Sequence, residues 1–421
     1  MNIRIEGVEK KLIKDEIFIS GSKSESNRLL ILQKLFPAIS IDNLSDSDDT
    51  NHLQHALTTS DSEINIGHAG TAMRFLTAFF ATQKNRTVVL SGSDRMHNRP
   101  IKILVDALRD LGAQIEYVEK EGYPPLRITG QEFNKDVVQI NGNVSSQYIS
   151  ALLLIAPSLP NGLQIELIGE ITSIPYIQMT LSLLNQIGVE STFEGQEISI
   201  KPLTDVQPKT IVVESDWSSA SYFYSIAALS DVGSEITLSA YKNQSLQGDS
   251  VLSSIYQHFG VETAFGENTI TLKKSNVISS LYTERSRSAV EKSPVEFDLI
   301  KAPDIAQTIA VTCFGLGIAC DLSGLHTLKI KETDRLEALK AELTKLGAEI
   351  DVTDHSLHLK GRLQINADIQ IETYHDHRMA MAFAPLGMLA SIEILDANVV
   401  TKSFRNFWKD LEQIGFQLTE K

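Results

Sequence analysis

"LRDLGAQIEYV" (residues 108–118) is the stretch on which the fold turns. Apolar residues three apart end on a glycine, and an alternating stretch follows. That is a helix end, a glycine cap and a strand entry. The pattern returns in "LNQIGVESTFE" from Leu184, "IYQHFGVETAF" from Ile255, "LTKLGAEIDVT" from Leu343 and "LEQIGFQLTE" from Leu411. The glycines Gly112, Gly188, Gly260, Gly347 and Gly415 lie 76, 72, 87 and 68 residues apart, so one unit is about 75 residues long. Counting back once more reaches "HLQHALTTSDSEINI" (52–66), which has the helix-then-strand shape but no glycine. The chain therefore reads as six units, the first degenerate. "RTVVLSGS", "GLQIELIG" and "SEITLSA" alternate as strands do, and "MRFLTAFFATQ", "IKILVDALRDLG" and "RLEALKAELTKLG" carry helical periodicity. Units of mixed α/β content and this length are too long for a solenoid and suit two domains of three units each.

The totals narrow the function. A chain of 421 residues, 42% hydrophobic and 22% charged, is an ordinary globular composition with room for a large core. A formal net charge of −15 argues against nucleic acid or an anionic membrane as partner. It leaves small anions open, because a local cluster of Arg and Lys outweighs distant charge. Cys313 and Cys320, the two cysteines, sit in the apolar run "IAVTCFGLGIAC" and read as small core fillers. "MNIRIEGVEKKL" lacks the apolar core of a signal peptide, and no run is long enough to span a membrane. A cytoplasmic protein is expected.

Several loops carrying Lys or Arg lead into apolar helices. "GSKSESNR" (21–28) sets Lys23, Ser24 and Arg28 at a helix start, where backbone N–H groups and the helix dipole attract anions. It resembles a P-loop, but the first glycine of that motif is missing. "NIGHAGTAMRFL" (65–76) offers Gly70 for close approach, Thr71 as a cap and Arg74 in the first turn; "SGSDRMHNRPIKILVDAL" (91–108) offers Arg95 and Arg99 before Pro100. In "LKIKETDRLEALKAEL" (328–343), Lys331 and Arg335 are four apart, Thr333 is a candidate cap, and Glu332 is an acid–base candidate between cations. "YHDHRMAMAFAPLGML" (374–389) brings His375, Asp376, His377 and Arg378, and "VTKSFRNFWKDL" (400–411) adds Lys402 and Arg405. No second His or Cys cluster completes a metal ligand set, so no metal is expected. Each loop alone reads equally as salt bridges on a solvated face. Together they describe a cleft for one or two small, multiply charged anions, with Arg as bidentate partner for carboxylate or phosphate.

Read in order, "GSKSESNR", "AGTAMRFLTA", "DRMHNRPI", "GYPPLRITG", "SSQYISALLL", "SIPYIQMT", "SDWSSASYF", "NQSLQGD", "PDIAQT", "IKETDRL", "DHRMAMAFA" and "TKSF" closely resemble the EPSP synthase (3-phosphoshikimate 1-carboxyvinyltransferase) family over essentially the whole chain. The resemblance implies a two-domain inside-out α/β barrel. Each domain would be three βαβαββ repeats, with the active-site cleft between the domains. The domains would be 1–21 with 214–421, and an inserted 22–213, with hinges near 14–23 and 210–220. It implies enolpyruvyl transfer from phosphoenolpyruvate to the 5-hydroxyl of shikimate 3-phosphate, with release of phosphate, no cofactor and a monomeric protein. By the same resemblance Lys23, Gly70, Arg99, Gln147, Arg335, Arg378 and Lys402 would hold phosphoenolpyruvate. Lys23, Ser24, Arg28, Ser145, Ser146, Gln147, Ser173, Tyr176, Asp304 and Lys331 would hold shikimate 3-phosphate. Asp304 would take the hydroxyl proton, Glu332 would handle the methylene proton, and Lys23 would serve both substrates.

The chain departs from the family pattern at His68, Phe75, Ile174, Thr327 and Arg405, where relatives more often carry Asn, Pro, Lys, Asn and Pro. Gly70 implies room for the inhibitor glyphosate. The sister enzyme acting on UDP-N-acetylglucosamine usually carries a cysteine in the loop that here reads "SDRMHNRP" and a leucine at His377, and this chain has neither. A catalytically dead relative would be expected to lose Asp304, Glu332 or Lys23, and all three are present.

Overall fold

The glycines that end the repeats all take left-handed backbone angles: φ is 112° at Gly112, 97° at Gly188, 75° at Gly260, 99° at Gly347 and 97° at Gly415. A side chain there would be strained, so glycine is what lets each helix stop and turn straight into a strand. The computed structural model describes residues 1–421 except 144, 172–173, 277–292, 332, 362–363 and the side chain of Ile330.

The second repeat shows the plan. Strand Glu63–Asn65, helix Gly70–Ala81, strand Thr87–Ser91, helix Lys102–Asp110 and the hairpin Gln114–Tyr117/Leu126–Thr129 follow in order. The first two strands pair in parallel and the hairpin joins antiparallel, so the first strand and the hairpin's first strand form the sheet edges. Residues 137–200 repeat this order, as do residues 295–359. Two sheets are completed from the start of the chain. Lys14–Ile17 pairs in parallel with Glu235–Ser239, and Ile3–Val8 lies antiparallel between Ile392–Ile394 and Phe416–Glu420.

The first repeat differs. Its strand Ile39–Asp42 pairs in parallel with Lys209–Val212, and no hairpin follows among the described residues. Helix Asp48–Thr58 ends on Thr59 in extended conformation (φ −69°, ψ 148°) and the chain continues into Glu63–Asn65, already the next repeat. Thr59 is extended rather than left-handed, so no glycine is needed there, which explains the degenerate first unit.

In each repeat one helix is largely buried. Helix Trp217–Leu229 has all 13 residues buried, Gly70–Ala81 has 11 of 12, Ser146–Ile155 has 9 of 10 and Ala306–Leu316 has 10 of 11. Such helices pack on one another and form the core: Lys23–Leu35, Gly70–Ala81 and Ser146–Ile155 in one body, and Trp217–Leu229, Ala306–Leu316 and His377–Phe383 in the other. The second helix is amphipathic. Lys102–Asp110 buries Leu104, Val105, Ala107 and Leu108 alone. By internal contacts the chain divides into Met1–Ser20 with Ser215–Lys421, and Gly21–Glu214. Cys313 and Cys320 are fully buried in the core of the former.

Three cap expectations need correction. Asp334, not Thr333, caps the helix Arg335–Lys345, accepting from the N–H groups of Leu336 and Glu337 at 3.2 Å each. Carboxylates are better acceptors than hydroxyls for these N–H groups and also meet the helix dipole. The helix after Pro100 begins at Lys102, and the helix carrying Thr71 already begins at Gly70, with no side-chain cap at Ala69.

Candidate active site

Lys23, Ser24, Gly70, Gln147, Asp304 and Arg378 lie at or just before the starts of the core helices, Arg335 begins an amphipathic one, and Arg99, Lys331 and Lys402 lie at the ends of short helices between them.

In the Gly21–Glu214 body, Lys23 is the first residue of helix Lys23–Leu35, and its Nζ lies 3.7 Å from the nearly buried carboxylate of Asp49. One turn on, Arg28 is 2% exposed. Its Nε donates to Thr180 Oγ1 (2.8 Å), Nη1 to the Ser24 carbonyl (2.7 Å) and Nη2 to Ser150 Oγ (3.0 Å). The fork stands 5.4 Å from the Phe75 ring centre and 6.0 Å from that of Tyr176. All three hydrogen-bond partners are neutral, and burial lowers the Arg28 pKa to about 10. Phe75, where relatives more often carry proline, is thus one wall of a cation–π box.

Gly70 begins its helix against Arg99. A Cβ built on Gly70 would lie 2.7 Å from Arg99 Cζ and 2.9 Å from Nη2. Arg74 sits behind them, 4% exposed, with Nη1 on the Gly70 carbonyl (2.9 Å) and Nη2 on the Pro100 carbonyl (3.2 Å). Tyr148 donates to the same Pro100 oxygen at 2.6 Å, so Arg74 and Tyr148 together fix the loop that carries Arg99. Burial, then the like charge of Arg99, lowers the Arg74 pKa to about 10. Two like charges this close are relieved by an anion. Sequence reasoning placed Arg74 in a first turn but gave it no partner. Gln147, second residue of helix Ser146–Ile155, donates from Nε2 to Thr71 Oγ1 at 3.2 Å and so links two helix starts. Ser145 precedes that helix as its N-cap residue, Ser146 is buried, and Tyr176 is half-exposed on helix Ile174–Gln186. Ser173 lies outside the described residues.

In the other body the cations are held by carboxylates. Asp304 opens the turn before helix Ala306–Leu316. Arg335 Nη1 donates to it at 2.8 Å, Lys331 Nζ lies 3.5 Å away and Arg378 Nη2 3.4 Å away. Arg335, 1% exposed and first in its helix, also donates from Nε to Asp376 Oδ2 at 2.6 Å. Asp376 is fully buried, and its other oxygen accepts from the Arg378 N–H at 2.9 Å, capping helix His377–Phe383. Lys331 and Arg335 do not share a helix face, because the helix begins only at Arg335. They meet on Asp304 instead. Lys402 ends the short helix Ala397–Lys402 and is half-buried. Glu332 lies outside the described residues.

Two residues in this body went unassigned in the sequence. Ser218, second in its helix, accepts from Arg378 Nη2 at 3.2 Å and donates to Asp249. Burial, with a further push from the Asp304 charge, lifts the Asp249 carboxyl to about pKa 6. Although burial opposes it, the Asp304 charge and other acidic neighbours hold the Arg378 pKa well above its ordinary value. The signal was an aspartate in the loop "NQSLQGD", which without the fold had no partner to point to. Thr327, at a departure from the family pattern, has its hydroxyl buried with no hydrogen-bond partner among the described residues.

A family model for EPSP synthase (3-phosphoshikimate 1-carboxyvinyltransferase) matches residues 53–411. The fold is that of solved enolpyruvyl-transfer proteins. An EPSP synthase from Acinetobacter baumannii superposes at a TM-score of 0.79 with 21% identity over the full length of both chains. The enolpyruvyl transferase NikO from Streptomyces tendae gives 0.70 with 14% identity over 100% of this chain and 98% of that one. Curated relatives named 3-phosphoshikimate 1-carboxyvinyltransferase are 46% identical in Bacteroides fragilis (strain YCH46), over 96% of each chain, and 34% identical in Mannheimia haemolytica, over 96% of this chain and 97% of that one. The chain belongs to the EPSP synthase family.

Proposed function

We propose that the two sets of helix-start residues serve one reaction, each holding part of two small anions. The reaction is enolpyruvyl transfer from phosphoenolpyruvate to shikimate 3-phosphate, in aromatic amino acid biosynthesis. The observation that carries the assignment is Asp304, a carboxylate with Lys331, Arg335 and Arg378 all within 3.5 Å. Such a group can accept a proton while the cations beside it hold a neighbouring anion.

In this reading Arg99, Gln147, Arg335, Arg378 and Lys402 take the phosphate and carboxylate of phosphoenolpyruvate, beside the open backbone of Gly70. Ser24, Arg28, Ser145, Ser146, Gln147, Ser173, Tyr176 and Lys331 take shikimate 3-phosphate, and Lys23 serves both. Asp304 removes the proton of the 5-hydroxyl as its oxygen attacks C2 of phosphoenolpyruvate, and Glu332 protonates the methylene carbon. The resulting tetrahedral ketal then loses phosphate, and a proton leaves the new methyl group to regenerate the enol ether. Cations lower the barrier by meeting charge that grows on the departing phosphate. The arrangement as two three-repeat inside-out barrels, with domain ends at 21/22 and 213/214, and a monomeric state, belong to the same reading.

Mixing the protein with both substrates and following phosphate release tests it. Release that depends on shikimate 3-phosphate is expected; none from folded protein overturns the assignment. Glyphosate is expected to inhibit, since the absence of a side chain at Gly70 lets the Arg99 fork stand where a Cβ would displace it. Full activity in millimolar glyphosate would overturn that. A dimer in sedimentation would remove the monomer.

A further inference from the structure

Strand Ile369–Ile371 reaches helix His377–Phe383 through a tight turn made of residues ill-suited to it. Tyr374 (φ 53°) and His375 (φ 56°) are both left-handed, and the Asp376 N–H donates to the Thr373 carbonyl at 2.8 Å. Positive φ at both central positions marks a type I′ turn, which favours Asn-Gly; a bulky tyrosine there is strained and must be held.

Two contacts hold it. The Tyr374 hydroxyl donates to Glu342 Oε1 at 2.7 Å, and the Glu372 N–H donates to Glu342 Oε2 at 3.1 Å. Glu342 is 0% exposed, and Lys345 Nζ reaches its two oxygens at 2.8 and 2.6 Å. A buried carboxylate with three donors from two chain segments is a fixed anchor. On the other side His375 Nδ1 pairs with Asp396 Oδ2 at 2.9 Å. Glu342 belongs to the helix that begins with Arg335, and Asp396 precedes the short helix that ends with Lys402. The residue right after the turn is Asp376, which grips Arg335 and caps the Arg378 helix.

We propose that the Tyr374–Glu342 pair is a positioning device. It holds a strained turn in place so that Asp376 sets Arg335 and Arg378 as one anion clamp. This rests on the assignment of those two arginines to phosphoenolpyruvate. Removing the hydroxyl releases the turn toward right-handed backbone, lets Asp376 swing, and loosens the clamp without touching any group that meets substrate.

Steady-state kinetics on Tyr374→Phe, Tyr374→Asn and Arg378→Lys test this. Tyr374→Phe is expected to raise KM for phosphoenolpyruvate about tenfold, the effect of one lost hydrogen bond to a charged group, with KM for shikimate 3-phosphate held within about twofold. Tyr374→Asn, which also lacks the hydroxyl but tolerates left-handed backbone at the strained position, is expected to recover most of the loss. A merely structural role would lower the melting temperature and leave this split and rescue unseen. Should Tyr374→Phe not fold, Glu342→Gln is expected to give the same split at about threefold. An unchanged KM for phosphoenolpyruvate, an equal rise in both KM values, or no rescue overturns the proposal. If Arg378→Lys raises the phosphoenolpyruvate KM while Tyr374→Phe does not, the positioning role falls and the site stands; if Arg378→Lys has no effect, the site assignment falls and takes the positioning role with it.

Discussion

The two bodies treat their arginines in opposite ways. In Gly21–Glu214, Arg28 and Arg74 are buried against hydroxyls, backbone carbonyls and aromatic faces, and burial brings both pKa values down to about 10. In the other body, Arg335 and Arg378 are buried against Asp304 and Asp376, and the Arg378 pKa goes up. The first arrangement meets its buried guanidinium groups with neutral hydrogen-bond partners, which suits attraction of a phosphate. The second is a compensated network in which the carboxylates fix the direction of the cations. One repeat plan therefore yields two kinds of cationic cluster, and the difference lies in what faces each helix start.

Substitution at Asp304 should break the contrast most. Asp304→Asn leaves Lys331, Arg335 and Arg378 without their shared carboxylate, and kcat is expected to fall about a thousandfold. A loss below about tenfold would remove it as the base. In the other body the largest effect is expected on stability. Arg28→Ala deletes hydrogen bonds to Thr180, Ser24 and Ser150 and is expected to cost about 2–3 kcal/mol in urea unfolding. A loss under about 0.5 kcal/mol would mean those bonds are replaced by water. Gly70→Ala drives a methyl into the Arg99 fork. It should raise KM for phosphoenolpyruvate about tenfold with the melting temperature nearly unchanged, since the group displaced is the far end of a flexible side chain. An unaltered KM would detach Arg99 from the donor site.

The smallest effect sharpens the contrast through pH. Asp249 titrates near 6 when folded against 3.8 as its ordinary value, so the folded state binds this proton more tightly. The resulting stabilisation is full below about 3.8 and gone above about 6, where the ion sits uneasily beside Asp304. Asp249→Asn cannot ionise. It is expected to melt higher than the parent at about pH 7.5 and to lose that advantage near pH 4. A constant difference across this range would detach Asp249 from the network.

The repeat was legible because each reversal needs a glycine, and five glycines recur at one spacing. The first unit hid because its helix ends on Thr59 in extended backbone, where glycine is not required. Cationic loops were legible as charge before apolar helices. Their partners were not: Arg335 meets Asp376 and Asp304 across 41 and 31 residues, and Arg28 meets Thr180 across 152. No local pattern encodes such distances. Asp334 was passed over as a cap because Thr333 also fits the motif, and only the N–H geometry separates them.

The strands at the start of the chain have a consequence for the order of synthesis. Gly21–Glu214 is contiguous, and its sheet partner for Ile39–Asp42 arrives with Lys209–Val212. The other body is opened by Ile3–Val8 and finished by Phe416–Glu420, which pair with each other. At about 5–20 residues per second, Ile3–Val8 waits tens of seconds for Phe416–Glu420. Throughout that wait the nascent chain carries an unpaired, apolar strand edge tethered to a domain that can already fold. Chaperone dependence should therefore track the opening twenty residues far more than the long segment that follows them.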